Sequence, residues 1–85
     1  MKYQAIKHNK TGTRLLKLCD TLLEAVEVIK STGAKYVELS YVGGFPVYRD
    51  QKGKGYTIQG AHVFDNGQYV VCSLDAKDLD PRVLV

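Results

Sequence analysis

The sequence predicts a single α+β domain in which one amphipathic helix packs on an antiparallel sheet, in the order β-β-α-β-β-β-β. Three observations predict it. One segment carries both a helix start signal and a helix stop signal. Six short segments able to extend surround it, separated by turn formers. The lone helix and the short links between strands favour an antiparallel meander over a parallel doubly wound sheet. Eighty-five residues fit one domain, 1–85, and are too few for two.

The first two strands are expected at residues 2–8 (KYQAIKH) and 13–19 (TRLLKLC), joined through Asn9, Lys10, Thr11 and Gly12. Their alternation is imperfect, so it does not declare an inward face. The helix follows. Thr21 to Glu24 is a capping box, in which the Thr21 hydroxyl accepts the Glu24 amide and the Glu24 carboxylate returns to the Thr21 amide. Leu22, Ala25, Val26 and Ile29 form the apolar stripe, and Gly33 closes the helix. Val28 lies off the stripe and is expected to meet a neighbour.

Residues 34–42 (AKYVELSYV) read as a strand, with Val37, Leu39 and Tyr41 on one face and Tyr36, Glu38 and Ser40 on the other. Pro46 has no amide proton, so residues 47–49 are expected at a sheet edge. A polar loop, 50–55, leads to a strand over 56–64. Asn66-Gly67 suggests a two-residue type I′ turn. That register opposes Phe64 to Tyr69, Val63 to Val70, His62 to Val71 and Ala61 to Cys72. One face then carries Ala61, Val63, Val70, Cys72 and Leu74, and the other Tyr56, Ile58, His62, Phe64, Tyr69 and Val71. A single helix covers one side alone. The second face therefore needs the tail from Asp78 to Val85, the N-terminal hairpin, a second copy of the chain, or a partner.

No apolar run approaches the roughly 20 residues that span a bilayer, and lysines stand where a signal peptide needs its apolar region, so a cytoplasmic protein is expected. Cys19 and Cys72 show no CxxC spacing and read as small hydrophobes. The formal charge is +3, with Lys2, Lys7, Lys10, Arg14 and Lys17 all preceding the first acid, Asp20. Catalytic machinery is not legible. The expected register sends Cys72 and His62 to opposite faces, and His8 stands isolated among lysines. Asp75, Asp78 and Asp80 lack the glycine and terminal glutamate of an EF-hand loop, and Gly53-Lys54-Gly55 matches no phosphate-loop pattern. No metal, cofactor or enzymatic activity is expected.

Lys54-Gly55-Tyr56-Thr57-Ile58 followed by His62-Val63-Phe64 resembles the first nucleic-acid-binding motif of cold-shock domains over barely a dozen residues. Thr57 and Ile58 replace that family's small residue and second aromatic, and the histidine precedes the Val-Phe pair. The resemblance implies bases stacked on strand aromatics, with lysines holding phosphates.

Two functional expectations follow. The first is a small protein-binding module, an inhibitor or modulator that occludes a partner protein's surface. In general character it resembles inhibitors encoded by bacteriophages and other mobile elements. Its contact face would be Tyr56, Ile58, His62, Phe64, Tyr69 and Val71, and its partner another protein or a second copy of itself. The alternative is nucleic-acid binding through Lys2, Lys7, Lys10, Arg14 and Lys17 of the basic hairpin with Arg49, Lys52 and Lys54, Tyr48 and Tyr56 serving to stack bases.

Overall fold

A computed structural model describes residues 1–39, 44–74 and 78–79. Within them the chain forms β1 (Lys2–Asn9), β2 (Gly12–Cys19), α1 (Leu22–Ser31), β3 (Lys35–Glu38), β4 (Val47–Arg49), β5 (Gly55–Val63) and β6 (Tyr69–Cys72). One helix on an antiparallel sheet is the architecture that the sequence predicts. Ser40, Tyr41 and most of the tail lie outside the described residues.

The sheet is more entangled than a meander. Its order is β2-β1-β5-β4-β3, with β6 also paired to β5. β1 takes one edge of β5 from Gly55 to Ala61. β4 and β6 divide the other edge, β4 along residues 55–57 and β6 along 60–63. Residues 47–49 are consequently not an edge strand, because β3 lies on their far side. Pro46 permits this by preceding the strand, where the ladder never calls for its missing amide proton.

Helix α1 begins as the sequence indicates. The Thr21 hydroxyl accepts the Glu24 amide at 3.1 Å. The Glu24 carboxylate, however, accepts from the Asp20 amide at 3.2 Å, one residue earlier than the capping box places it. Gly33 follows the helix at φ +85°. Leu22, Ala25, Val26 and Ile29 are buried against Ala5, Cys19, Tyr48, Tyr56 and Ile58 of the sheet. Val28 packs against this same core instead of reaching outward.

A bulge explains the unreadable alternation of the first hairpin. Ala5 faces Lys17 and Ile6 faces Leu15, which leaves Leu16 as the extra residue, and Leu16 packs on the helix-side core. A second irregularity in β3 pairs Tyr36 with Tyr48 and Glu38 with Val47, leaving Val37 unpaired and exposed. The period-two assignment of residues 34–42 fails there, and β3 ends at Glu38.

The last hairpin corrects the expected register by one residue. Gly60 faces Cys72, Ala61 faces Val71, His62 faces Val70 and Val63 faces Tyr69. A type I′ turn needs positive φ at both central residues, but only Gly67, at +82°, has it. The loop instead holds three residues. The Gly67 amide donates to the Phe64 carbonyl at 2.9 Å and the Phe64 amide to the Gln68 carbonyl at 2.8 Å. The Asn66 side-chain oxygen accepts the Gln68 amide at 3.0 Å and steadies this form. A slip of one residue turns every β6 side chain to the opposite face.

The assignment of faces changes with it. Tyr56 and Ile58 belong to the face beneath the helix. The opposite face centres on Gln4, Ile6, Val47, Thr57 and Ala61, all buried within this one chain. Its centre therefore needs no second copy for cover.

Truncation should separate core from cap. Ile58→Ala is expected to lower stability by about 3 kcal/mol and Thr21→Ala by about 1 kcal/mol. Denaturant unfolding checks both, and equal small losses would remove Ile58 from the core.

Candidate functional site

The antiparallel pairings carry widely separated residues into two rows across one end of the sheet. On the helix side the row runs Arg14, Lys7, Tyr56, Tyr48 and Tyr36. On the other side it runs Thr13, His8, Gly55, Arg49 and Lys35. The turn beyond β1 adds Lys10, and the loop between β4 and β5 adds Lys52 and Lys54. At about 4.8 Å per strand, five strands span about 19 Å. Neighbouring strands lie closer than the Debye length of about 8 Å at physiological ionic strength, so their charges act on a ligand together.

Among the described residues lining this end the acid is Asp50, and its carboxylate is already engaged. Oδ1 accepts the Lys52 amide at 2.9 Å and the Lys54 amide at 3.0 Å, and Oδ2 accepts the Tyr56 hydroxyl at 3.1 Å. Two backbone bonds complete the loop, from the Asp50 amide to the Lys54 carbonyl and from the Gly53 amide to the Asp50 carbonyl. Asp50 thus shapes the loop that displays Lys52 and Lys54 at the tip of the β4–β5 hairpin. Partial desolvation pushes its carboxyl upward, but the Lys54 amide, the Tyr56 hydroxyl, the Lys52 amide and the nearby Lys7 charge outweigh it, and the net shift is downward. Burial, with the Asp50 bond and charge, pushes the Tyr56 hydroxyl up. The Lys7 ammonium stands 5.9 Å from the centre of the Tyr56 ring.

Two open hollows flank the loop. One, of about 480 Å³, has Lys7, Thr32, Asp50, Lys52 and Lys54 in its walls. The other, of about 360 Å³, has His8, Lys10, Arg49, Lys52 and Lys54 in its walls. His8 is not the solvated residue that its lysine neighbours suggest. Its Nε2 lies 2.7 Å from the Thr57 hydroxyl, and burial lowers its pKa.

The sequence-predicted basic residues divide. Lys7, Lys10, Arg14, Arg49, Lys52 and Lys54 gather at this end. Lys2 pairs with Asp20 near the opposite end of β1, and Lys17 lies beside Glu24 and Glu27 of the helix. Tyr48 and Tyr56 are 2% and 4% exposed and cannot stack on bases. That removes Tyr56 from the stacking role implied by the cold-shock resemblance. Sequence reasoning missed Lys35, which only the pairing with Arg49 brings in.

The six residues expected to form one contact face do not share a surface. Tyr56 and Ile58 are buried beneath the helix. His62 lies on the helix-side face of β5, whereas Tyr69 and Val71 align with Val63 and Ala61 on the other. What remains exposed is the end of the β5–β6 hairpin, where Val63, Phe64, Tyr69, Val70 and Val71 are 39–57% exposed.

The corrected register also places Cys72 and His62 on one face, against the expected separation. The Cys72 sulfur lies 3.3 Å from that of Met1, and among the described residues no hydrogen bond joins it to His62. Cys19 is buried, and neither cysteine is in a disulfide. Asp75 and Asp80 lie outside the described residues, among which no group of three or more His, Cys, Asp or Glu side chains is placed to hold a metal ion. No helix among the described residues is long and apolar enough to cross a membrane. Comparison with protein families, curated sequences and solved structures finds no match, so the site is read from its geometry.

The Asp50 bonds predict a pH response. A carboxyl whose folded pKa lies below its unfolded value, about 3.9, stabilises above that value and loses its effect as pH falls through the folded pKa. The Lys52 and Lys54 amide resonances should titrate together with a midpoint below about 3.9. A midpoint at or above it would show that the carboxylate does not hold the loop.

Proposed function

We propose that this domain binds nucleic acid through phosphate contacts made by the basic end of its sheet. The observation that carries the reading is the convergence of Lys7, Lys10, Arg14, Lys35, Arg49, Lys52 and Lys54 on one end, where Asp50 is internally engaged. Cations at such spacing displace counterions from a phosphate backbone, a source of affinity that does not depend on base sequence. The burial of Tyr48 and Tyr56 favours phosphate contacts over base stacking at this end.

A salt titration by fluorescence anisotropy tests it. With four or five phosphate contacts, log affinity should fall against log salt with a slope of about −4 on duplex. Lys52→Glu with Lys54→Glu should weaken binding at least about tenfold, a loss of about 1.4 kcal/mol. Lys17→Glu should leave it nearly unchanged. Binding that is absent at low salt, or equally sensitive to Lys17, would sink the reading.

The exposed apolar end of the β5–β6 hairpin favours a second reading, in which the chain is the protein-binding modulator that the sequence suggests. Exposed apolar side chains gathered at one end of a hairpin commonly mark a protein contact. The contact set then becomes Tyr69 and Val71 with Val63 on one face and Phe64 at the turn, and Tyr56, Ile58 and His62 leave it. A pull-down in which wild type and a Phe64→Asp, Val71→Asp variant recover the same proteins would eliminate this surface.

A further inference from the structure

We propose that Cys72, Met1 and His62 form a binding site for Cu(I), at the end of the sheet away from the basic cluster and independent of the nucleic-acid reading. The starting observation is a contact between two sulfurs. Cys72 Sγ and Met1 Sδ lie 3.3 Å apart, although they come from opposite sides of β5. The backbones of β6 and β1 stand about 10 Å apart across that strand, so the two side chains meet above it. Gly60 leaves the room. It faces Cys72 in the ladder, and a Cβ at this position would come within 3.1 Å of the Cys72 sulfur.

Register supplies a third donor. His62 is two residues beyond Gly60 on the same face of β5, which makes it the diagonal neighbour of Cys72. Diagonal pairs are about 7–8 Å apart, within reach of aromatic and long side chains. Met1 precedes Lys2, whose partner is Ala61, and so extends the β1 ladder toward His62. The imidazole is exposed and Cys72 is half-buried, which leaves both able to turn toward a shared ion.

Hydrophobic packing does not account for the contact, because Met1 remains 47% exposed while Cys19, packed as a core residue, is 1% exposed. A disulfide does not compete for Cys72 either. Cys19, Tyr3, Gly60 and Cys72 form one row across β2, β1, β5 and β6. Three strand spacings, about 14 Å, are twice the separation that a disulfide bridges.

The donors select the ion. Thiolate and thioether are soft ligands that favour Cu(I), and imidazole accepts copper as well. A structural zinc site takes four donors from thiolate, imidazole and carboxylate, and no group of even three such side chains occurs among the described residues. On binding, the Cys72 thiol releases its proton to solvent and its sulfur bonds the ion. Copper stays monovalent, no electron is transferred, and the thiolate cancels the charge of the ion.

Anaerobic titration of the full chain with Cu(I), in competition with a chromophoric chelator, tests the site. A single equivalent should bind. Cys72→Ser and His62→Ala should each weaken it at least about tenfold, whereas Cys19→Ala should leave it unchanged. Circular dichroism melts establish that each variant is folded. Met1 is the sole methionine, so its ε-methyl carbon resonance reports on this thioether alone and should shift until the equivalent is bound. That measurement uses the wild-type chain and holds even where a variant fails to fold. An unmoved methyl resonance overturns the site, as does unchanged affinity in folded Cys72→Ser or His62→Ala. Loss of binding in folded Cys19→Ala, or equally tight binding of Zn(II), overturns it too.

Discussion

The pairing of β1 with β5 is the constraint on which the rest of the structure depends. It joins residues 2–8 to residues 55–61, so the two halves of the chain meet in one ladder. Ala5 and Ile58 face each other within it, and the helix buries both. The far edge of β5 then accepts β4 and β6 in succession, and β4 in turn carries β3. Contacts this distant in sequence must be closed against chain entropy before burial rewards them. Apolar residues under the helix supply that reward.

The same ladder produces the charged end. Lys7 faces Tyr56 and His8 faces Gly55, so the last turn of β1 is set beside the start of β5 and the β4–β5 loop. Cations from separate segments thereby share one surface. Their mutual repulsion is reduced by exposure to water and salt, and none of them has to be buried. Asp50 shows how an acid is accommodated there: its oxygens accept from backbone amides and a tyrosine hydroxyl, which orders the loop and leaves the lysine side chains displayed.

Much of the local structure was legible because its causes are local. The capping threonine, the stripe from Leu22 to Ile29 and the closing Gly33 need only residues within a few turns of one another, and the helix forms over nearly the expected span. Strand positions were legible from composition. Facing was not. The bulge at Leu16, the unpaired Val37 and the three-residue loop at Asp65 to Gly67 each displace the period-two pattern by one residue. An Asn-Gly pair is compatible with more than one turn, and hydrogen bonds among Phe64, Asn66, Gly67 and Gln68 decide between them.

By itself the sequence determined the class of the fold, its order of elements, the helix and its buried stripe, and the excess of basic residues at the N-terminus. Those properties follow from short-range periodicity and composition. Only the tertiary structure decided which strands are neighbours, that Tyr56 and Ile58 are core, and that Lys35 and Arg49 join Lys7 and Lys10 while Lys2 and Lys17 do not. The physical reason is that strand pairing and side-chain facing are set by long-range hydrogen-bond register, and one inserted residue in a bulge or loop reverses a face without altering the composition of the strand.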